Sequence, residues 1–433
     1  MAFARILVSA VEKGCARSLR GLSSLKMDSI LSATESTPPM DMFKVRQGYL
    51  DDTSPNKVDL GVGAYRTDEG KPWVLPVVRR IEIEIANDES TNHEYSMFLG
   101  EDSFRKAATQ FLLGEKIMQD LGDRVFGVQS LGGTGSLRIA AEFLTKILKL
   151  HTIYISNPTW ENHRGVFSRG GFSDIREYRY WDPVTRGINI NGLLEDLNQA
   201  PERSVVILHA CAHNPTGCDP TPEQWTKIAN VMQERKLFTF FDIAYQGFAT
   251  GDLEKDAWPV RYFTERGFEL FCAQSFSKNA GLYNERIGNL TVVLNDTSAM
   301  TYIQRHIMSL VRAMYCYPSN HGMQIVDRIL KNPQNFKEWK GNVSTMATRI
   351  LAMRKALREH LEALKTPGTW DHITNQRGMF SYTGLTSQQI EFLTKERHIY
   401  LLKSSRINMC GLNTKNVGYV AQAIHDAVVQ VPQ

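Results

Sequence analysis

Phe268-Glu269-Leu270-Phe271-Cys272-Ala273-Gln274-Ser275-Phe276-Ser277-Lys278-Asn279 decides how this chain folds. The first six residues form a short apolar run with aromatics, which predicts a buried strand. The run ends in hydroxyls and a lysine. Working outward, the same alternation recurs on both sides. Strands are predicted over residues 127–130, 152–156, 205–209, 237–242, 269–273 and 289–294, and helices over 135–148, 162–169, 222–235 and 297–308. Strands alternating with helices predict an α/β fold with a mostly parallel sheet covered by helices. In such sheets ligands gather at the carboxyl ends of the strands. Gly132-Gly133-Thr134, Trp160, Asn214, Asp242 and Lys278 all fall there.

Beyond the sheet, Trp339, Val343, Met346, Ile350, Met353 and Leu357 recur at helical spacing and predict one long helix over 336–364. Residues 378–382 and 399–402 read as further strands. This predicts a large domain over 74–345 and a smaller α/β domain from both chain ends, 27–73 and 346–433, joined near residues 59–65. Residues 1–26 form a separate basic extension.

The whole formal charge of +4 sits in that extension, where Arg5, Lys13, Arg17, Arg20 and Lys26 face only Glu12. The remaining body is formally neutral, which argues against a nucleic-acid partner, since phosphate binding needs clustered Lys and Arg. No apolar run approaches the roughly 20 residues needed to span a bilayer, so no membrane partner is expected. The extension fits either a mitochondrial transit peptide or a plain N-terminal tail before Met27. The six cysteines, Cys15, Cys211, Cys218, Cys272, Cys316 and Cys410, show no C-x-x-C pair, which suggests a reducing compartment and no disulfide framework.

Several residues then carry candidate chemistry. A lysine just after a strand can form a Schiff base with an aldehyde cofactor. Ser275, Ser277 and Arg286 offer hydroxyl donors and a planar fork for a phosphate on the same molecule. Taken alone, Lys278 also reads as an ordinary solvated lysine. Leu131-Gly132-Gly133-Thr134-Gly135 opens a helix after a strand, an arrangement that either cradles phosphate on backbone N–H groups or makes a tight capped turn. It matches neither the dinucleotide fingerprint nor a P-loop. His209-x-x-x-His213 has metal-like spacing, but Asn214-Pro215-Thr216-Gly217 breaks any helix at once, so strand-end packing is expected and no metal. Asp242 ends a very apolar strand, where a carboxylate either caps structure or pairs with a cationic heterocycle nitrogen, with Tyr245 nearby. Trp160 can stack on a flat ring or fill core. Arg406 can clamp a carboxylate or make a surface ion pair.

The order Asn-Pro-Thr-Gly, Asp-x-Ala-Tyr, Ser-x-Ser-Lys and then Arg286 resembles the aspartate aminotransferases, fold-type I pyridoxal-phosphate enzymes, from Lys57 to Val428. Leu131-Gly132-Gly133-Thr134-Gly135, Asn157 to His163 and Arg406-Ile407-Asn408-Met409-Cys410-Gly411 look most like the animal cytosolic isoform. That implies a cytoplasmic location, against a mitochondrial one if residues 1–26 act as a transit peptide. The resemblance implies ping-pong amino transfer from aspartate to 2-oxoglutarate through pyridoxamine phosphate, giving oxaloacetate and glutamate. Lys278 matches the lysine that holds pyridoxal 5'-phosphate and moves the proton. Asp242, supported by His163, matches the carboxylate at the ring nitrogen. Tyr245 and Asn214 match donors to the ring oxygen, and Trp160 the stacking residue. Gly133, Thr134, Ser275, Ser277 and Arg286 match the phosphate cradle, joined by Tyr95 from the neighbouring subunit. Arg406, with Asn214 and the backbone of Gly63, matches the α-carboxylate site, and Arg312 of the other subunit the distal carboxylate site. A homodimer with shared sites and dicarboxylic amino-acid and 2-oxo-acid substrates follows.

Three stretches depart from the family wording: Ser96-Met97-Phe98 after Tyr95, Cys316-Tyr317-Pro318-Ser319 after Arg312, and Ser405 where glycine is usual. The first two bear on substrate range, so an aromatic or broad-range aminotransferase is the alternative reading. A non-catalytic scaffold keeping the fold is a third.

Overall fold

The computed structural model describes residues 30–34 and 40–431 of the 433. The chain divides into Met1–Met40 and Asp41–Gln433. Of the first unit one short 3-10 turn is described, Ile30–Ala33. The basic extension over 1–26 and Cys15 lie outside the described residues.

Seven strands of the second unit make one sheet: β1 Val125–Leu131, β2 Thr152–Asn157, β3 Asp174–Arg179, β4 Val205–His209, β5 Phe238–Ile243, β6 Leu270–Ser275 and β7 Ile287–Val293. Their order across the sheet is β1-β7-β6-β5-β4-β2-β3. Only β7 breaks the parallel arrangement, running antiparallel to β1 and β6. Consecutive residues fall in different apolar clusters. Val205, Ile207, Phe240 and Phe271 join one, and Val206, Leu208, Phe241 and Leu270 the other. Period-two alternation with both faces apolar buries both faces, each large side chain contributing about 1.5–3 kcal/mol.

Helices α1 Gly132–Lys146, α2 Asn162–Arg169 and α3 Met300–Met314 follow strands β1, β2 and β7. The long helix α4 spans Pro333–Ala363, started by the Asn332 side chain and Pro333. Its predicted apolar stripe from Trp339 to Leu357 is buried. The Trp339 indole donates to the carbonyl of Asn279, 2.8 Å away, so this helix pins the turn beside Lys278.

The chain ends meet in one small sheet, and a second joins two C-terminal strands. Val58–Asp59 pairs in parallel with Ile399–Tyr400, and Phe380–Tyr382 antiparallel with Arg406–Asn408. Asn408 N–H also donates to Leu60 O at 2.7 Å. The five described cysteines are free. Among the described residues no helix is long and apolar enough to cross a membrane.

Ser405 has φ +66°, in the left-handed region that favours glycine. Its hydroxyl accepts from the Gly384 N–H at 3.2 Å, which offsets part of the strain. Ser405→Ala keeps the strain and loses the bond, so it is expected to cost about 0.5–1.5 kcal/mol. Ser405→Gly loses the same bond but relieves roughly 1–2 kcal/mol of left-handed strain, against about 0.4–1 kcal/mol of added chain freedom. Thermal unfolding should therefore rank Ala below Gly; the reverse order would refute the strain at position 405.

Candidate active site

The carboxyl ends of β4, β5 and β6 meet α1 and the loop after β2 around a cavity of about 350 Å³. Lys278, Asp242, Trp160, Asn214, Tyr245, Gly133, Thr134, Ser275, Ser277, Arg286, Arg406 and the Gly63 backbone segment all line it, as expected from the sequence. His163 stands behind Asp242, buried at the start of α2.

Asp242 is the penultimate residue of β5, paired in register with His209 of β4 and Ala273 of β6. His163 Nε2 lies 3.1 Å from Asp242 Oδ2. A carboxylate accepts only, so Nε2 carries the hydrogen. Thr159 Oγ1 sits 2.8 Å from His163 Nδ1 and orients the ring from behind. Burial pushes the Asp242 pKa up, but the hydrogen bond from His163 and the neighbouring charges outweigh it, and the net shift is downward. Asp242 is thus held as a carboxylate facing the cavity.

His209 and His213 stack at 4.2 Å between ring centroids, and His213 stacks in turn on Tyr180 at 3.9 Å. Burial lowers the His209 pKa to about 3 and that of His213 well below its usual value, so both are neutral. Donor atoms of His163, His209 and Asp242 lie within 4.8 Å of one another. His209 Nδ1, however, accepts the Asn214 N–H at 3.1 Å, so its Nε2 carries the ring hydrogen and is no metal ligand. The pair positions Asn214, in keeping with strand-end packing.

Lys278 stands three residues past β6, its ammonium 4.9 Å from the centre of the Tyr245 ring. Burial pushes its pKa down to about 8, Asp242 raises it, and Arg286 and Arg406 lower it further. Near neutral pH a minority of Lys278, about a tenth one unit below that pKa, is therefore already unprotonated, the state a nucleophile or base needs.

Arg286 reaches the same end of the sheet because β7 runs antiparallel and begins there. Its Nη1 donates to Ser277 Oγ at 3.0 Å and to Tyr283 O at 2.9 Å. Gly132, the first glycine of the run read from the sequence as a cradle or tight turn, has φ +69°, and a Cβ there would stand 2.6 Å from Arg286 Nη2. The tight turn lets the first N–H groups of α1 and the guanidinium converge, a site for a phosphate dianion.

Arg406 begins its short strand and is buried. Nη2 donates to Gly61 O at 2.8 Å and Nη1 to Asn214 Oδ1 at 3.2 Å, while Nε has no partner. Its guanidinium lies 4.1 Å from the centre of the Phe380 ring, which backs it from the far side. Among the described residues no carboxylate pairs with it, and burial lowers its pKa. A desolvated cation served only by neutral acceptors is a receptor for an anion. Phe380 and Tyr283 line the cavity too, and were legible only as strand and loop residues.

Tyr95 and Arg312 stand apart. Neither lines the cavity, Tyr95 is 76% exposed, and the exposed Arg312 guanidinium has no partner among the described residues.

Comparison with known proteins agrees with this geometry. Residues 55–424 match the model of "Aminotransferase class I and II". Over 408 residues the chain is 56% identical to the cytoplasmic aspartate aminotransferase of Gallus gallus, covering 93% of this chain and 99% of that protein. The aspartate aminotransferase from Saccharomyces cerevisiae cytoplasm superposes with a TM-score of 0.90 at 42% identity, over 93% of this chain and 99% of that one. An aromatic-amino-acid aminotransferase from Burkholderia pseudomallei, covalently bound to pyridoxal phosphate, superposes at 0.89 with 37% identity, over 92% and 100%. With the family model matched over residues 55–424 and a relative 56% identical over 93% of the chain, the protein belongs to the class I and II aminotransferase family.

Proposed function

We propose that this protein transfers the amino group of aspartate to 2-oxoglutarate, using pyridoxal 5'-phosphate, as a cytoplasmic homodimer. One observation carries the reading: Lys278 and the unpaired Arg406 face the same cavity, so an amino group and a carboxylate can be held together. The residues present fit the cofactor. A Cβ at position 132 would fill the space beside Arg286, and the buried Asp242 stays ionised where a pyridine nitrogen needs a counter-charge. Lys278 would hold its aldehyde carbon, Arg286, Ser275, Ser277, Gly133 and Thr134 its phosphate, Trp160 its ring face, and Tyr245 with Asn214 its ring oxygen. When bound, this cofactor supplies an electron sink for the pair left at Cα after a proton departs.

The chain's own residues do the rest. Arg406 fixes the α-carboxylate, so Cα presents its hydrogen to Lys278. Lys278, unprotonated in part because burial lowers its pKa to about 8, accepts that proton and returns it at the other end of the transfer. Asp242, oriented by His163, keeps negative charge where the ring nitrogen sits. Tyr95 and Arg312, which do not line their own cavity, serve the site of a second copy, where Arg312 takes the distal carboxylate. The described chain-end segments over 41–73 and 346–431 act as the smaller domain that brings Arg406 to the site.

A competition of amino donors tests this. Wild type should prefer aspartate over phenylalanine. Arg312→Ala is expected to lose about 1.5–3 kcal/mol of transition-state binding for dicarboxylates alone, the range for a hydrogen bond to a charged group. Unchanged aspartate kinetics in Arg312→Ala, or preference for phenylalanine in wild type, would replace the dicarboxylate reading with an aromatic or broad-range one.

A further inference from the structure

Two of the stretches that depart from the family wording meet in space. Tyr317 lies between Tyr95 and Phe98, its ring 4.7 Å from Tyr95 at 27° and 4.9 Å from Phe98 at 10°. Stacked aromatic pairs of this kind stabilise beyond their buried area. Tyr317 belongs to the loop after α3, three residues past Met314. That loop is firmly held. Cys316 N–H donates to Val311 O at 3.1 Å and its thiol to Arg312 O at 3.5 Å. Ser319 O accepts from Gln129 of β1 at 2.7 Å, and the Ser319 hydroxyl donates to Glu285 O, next to Arg286. The segment of Tyr95 is held far less. It has no regular secondary structure, and the Tyr95 N–H bonds only its neighbour Glu94. Among the described residues, Tyr317 is the one ring that touches Tyr95.

We propose that Tyr317 is a positioning residue for Tyr95, fixing it to the rigid loop behind Arg312 so that both groups are presented to a second copy as one unit. The proposal rests on the reading of Tyr95 as a phosphate ligand in the partner site and adds the residue that aims it. Tyr317 and Phe98 act as a matched pair: the ring at 317 needs the flat partner at 98, and neither departure serves without the other.

Cofactor binding to the full-length dimeric apoprotein, followed by fluorescence quenching as pyridoxal 5'-phosphate is added, tests it. Tyr95→Phe is expected to weaken binding about tenfold, the low end for losing a hydrogen bond to a charged group. Tyr317→Ala and Phe98→Ala should each weaken it by a similar factor with the thermal midpoint lowered by only a few degrees, while Tyr317→Phe stays within about twofold. Added to Tyr95→Phe, Tyr317→Ala should cost less than about twofold more, because both changes remove the same contact. Full additivity, or no effect of Tyr317→Ala where Tyr95→Phe weakens binding, overturns the positioning role and leaves the functional reading standing. No effect of Tyr95→Phe overturns the role of Tyr95 itself, and with it this proposal.

Discussion

Lys278→Ala is expected to lower kcat at least about 10²–10⁴-fold, the contribution of a positioned proton-transfer group, with loss of the covalent hold on the cofactor in addition. The structure isolates the reason. Lys278 has no carboxylate in hydrogen-bond contact; its ammonium faces the Tyr245 ring in a cavity that also holds Arg286 and Arg406. These surroundings bring the pKa to about 8, where proton exchange near neutral pH is facile. Lys278→Arg is the sharper variant. It keeps a cation of similar reach, but a guanidinium does not deprotonate in a protein, so activity should stay as low as in the alanine variant. The alanine change should not lower the thermal midpoint, since removing a desolvated amine leaves no buried charge unpaired, whereas the arginine change buries a cation that cannot shed its proton and should lower it. Single-turnover rates would check this, and an arginine variant within tenfold of wild type would show that the proton moves elsewhere.

Arg406→Ala should cost about 2–5 kcal/mol in kcat/KM, the usual penalty for truncating one partner of a buried, hydrogen-bonded charge pair. At about 1.36 kcal/mol per tenfold this is a loss of roughly 30- to 5,000-fold. The loss should be the same for amino acids and oxo acids, long or short, because every substrate carries the α-carboxylate. Arg312→Ala should instead penalise dicarboxylates alone. Arg406→Lys should not rescue, since an ammonium cannot at once donate to Gly61 O and Asn214 Oδ1 and present a flat fork over Phe380. Equal kinetics for Arg406→Ala with any α-amino acid would remove Arg406 from the substrate site.

The sheet was legible because its strands are short apolar runs separated by helices with clear periodicity. The exceptions have physical causes. β3, Asp174–Arg179, sits at the sheet edge and is dense in charge, which protects an exposed edge but hides the strand pattern. The helix Leu253–Glu265 contains Pro259, which reads as a breaker in sequence and is tolerated by packing in the fold. In the site, side chains with distinctive chemistry were visible in order, since strand ends carry them. The backbone's part was not. The glycine run at 132 was read as a turn without the room it leaves for Arg286, and Phe380 as a strand residue without its place under Arg406 of the neighbouring strand. The reversed direction of β7, which lets Arg286 join residues from parallel strands, also has no local signature.

The bond from Arg406 to Gly61 O joins residues 345 positions apart. On the ribosome this has an order attached to it. The nascent chain emerges from its N-terminus, so β1 to β7 can assemble around Lys278 while residues 58–64 still wait for partners at 399–408. A polypeptide released early would own a reactive lysine and a phosphate cradle but nothing to select what enters. Translation to nearly the last turn is therefore what converts a cofactor pocket into a discriminating catalyst, and premature termination near the 3' end of the message strikes selectivity before it strikes the sheet.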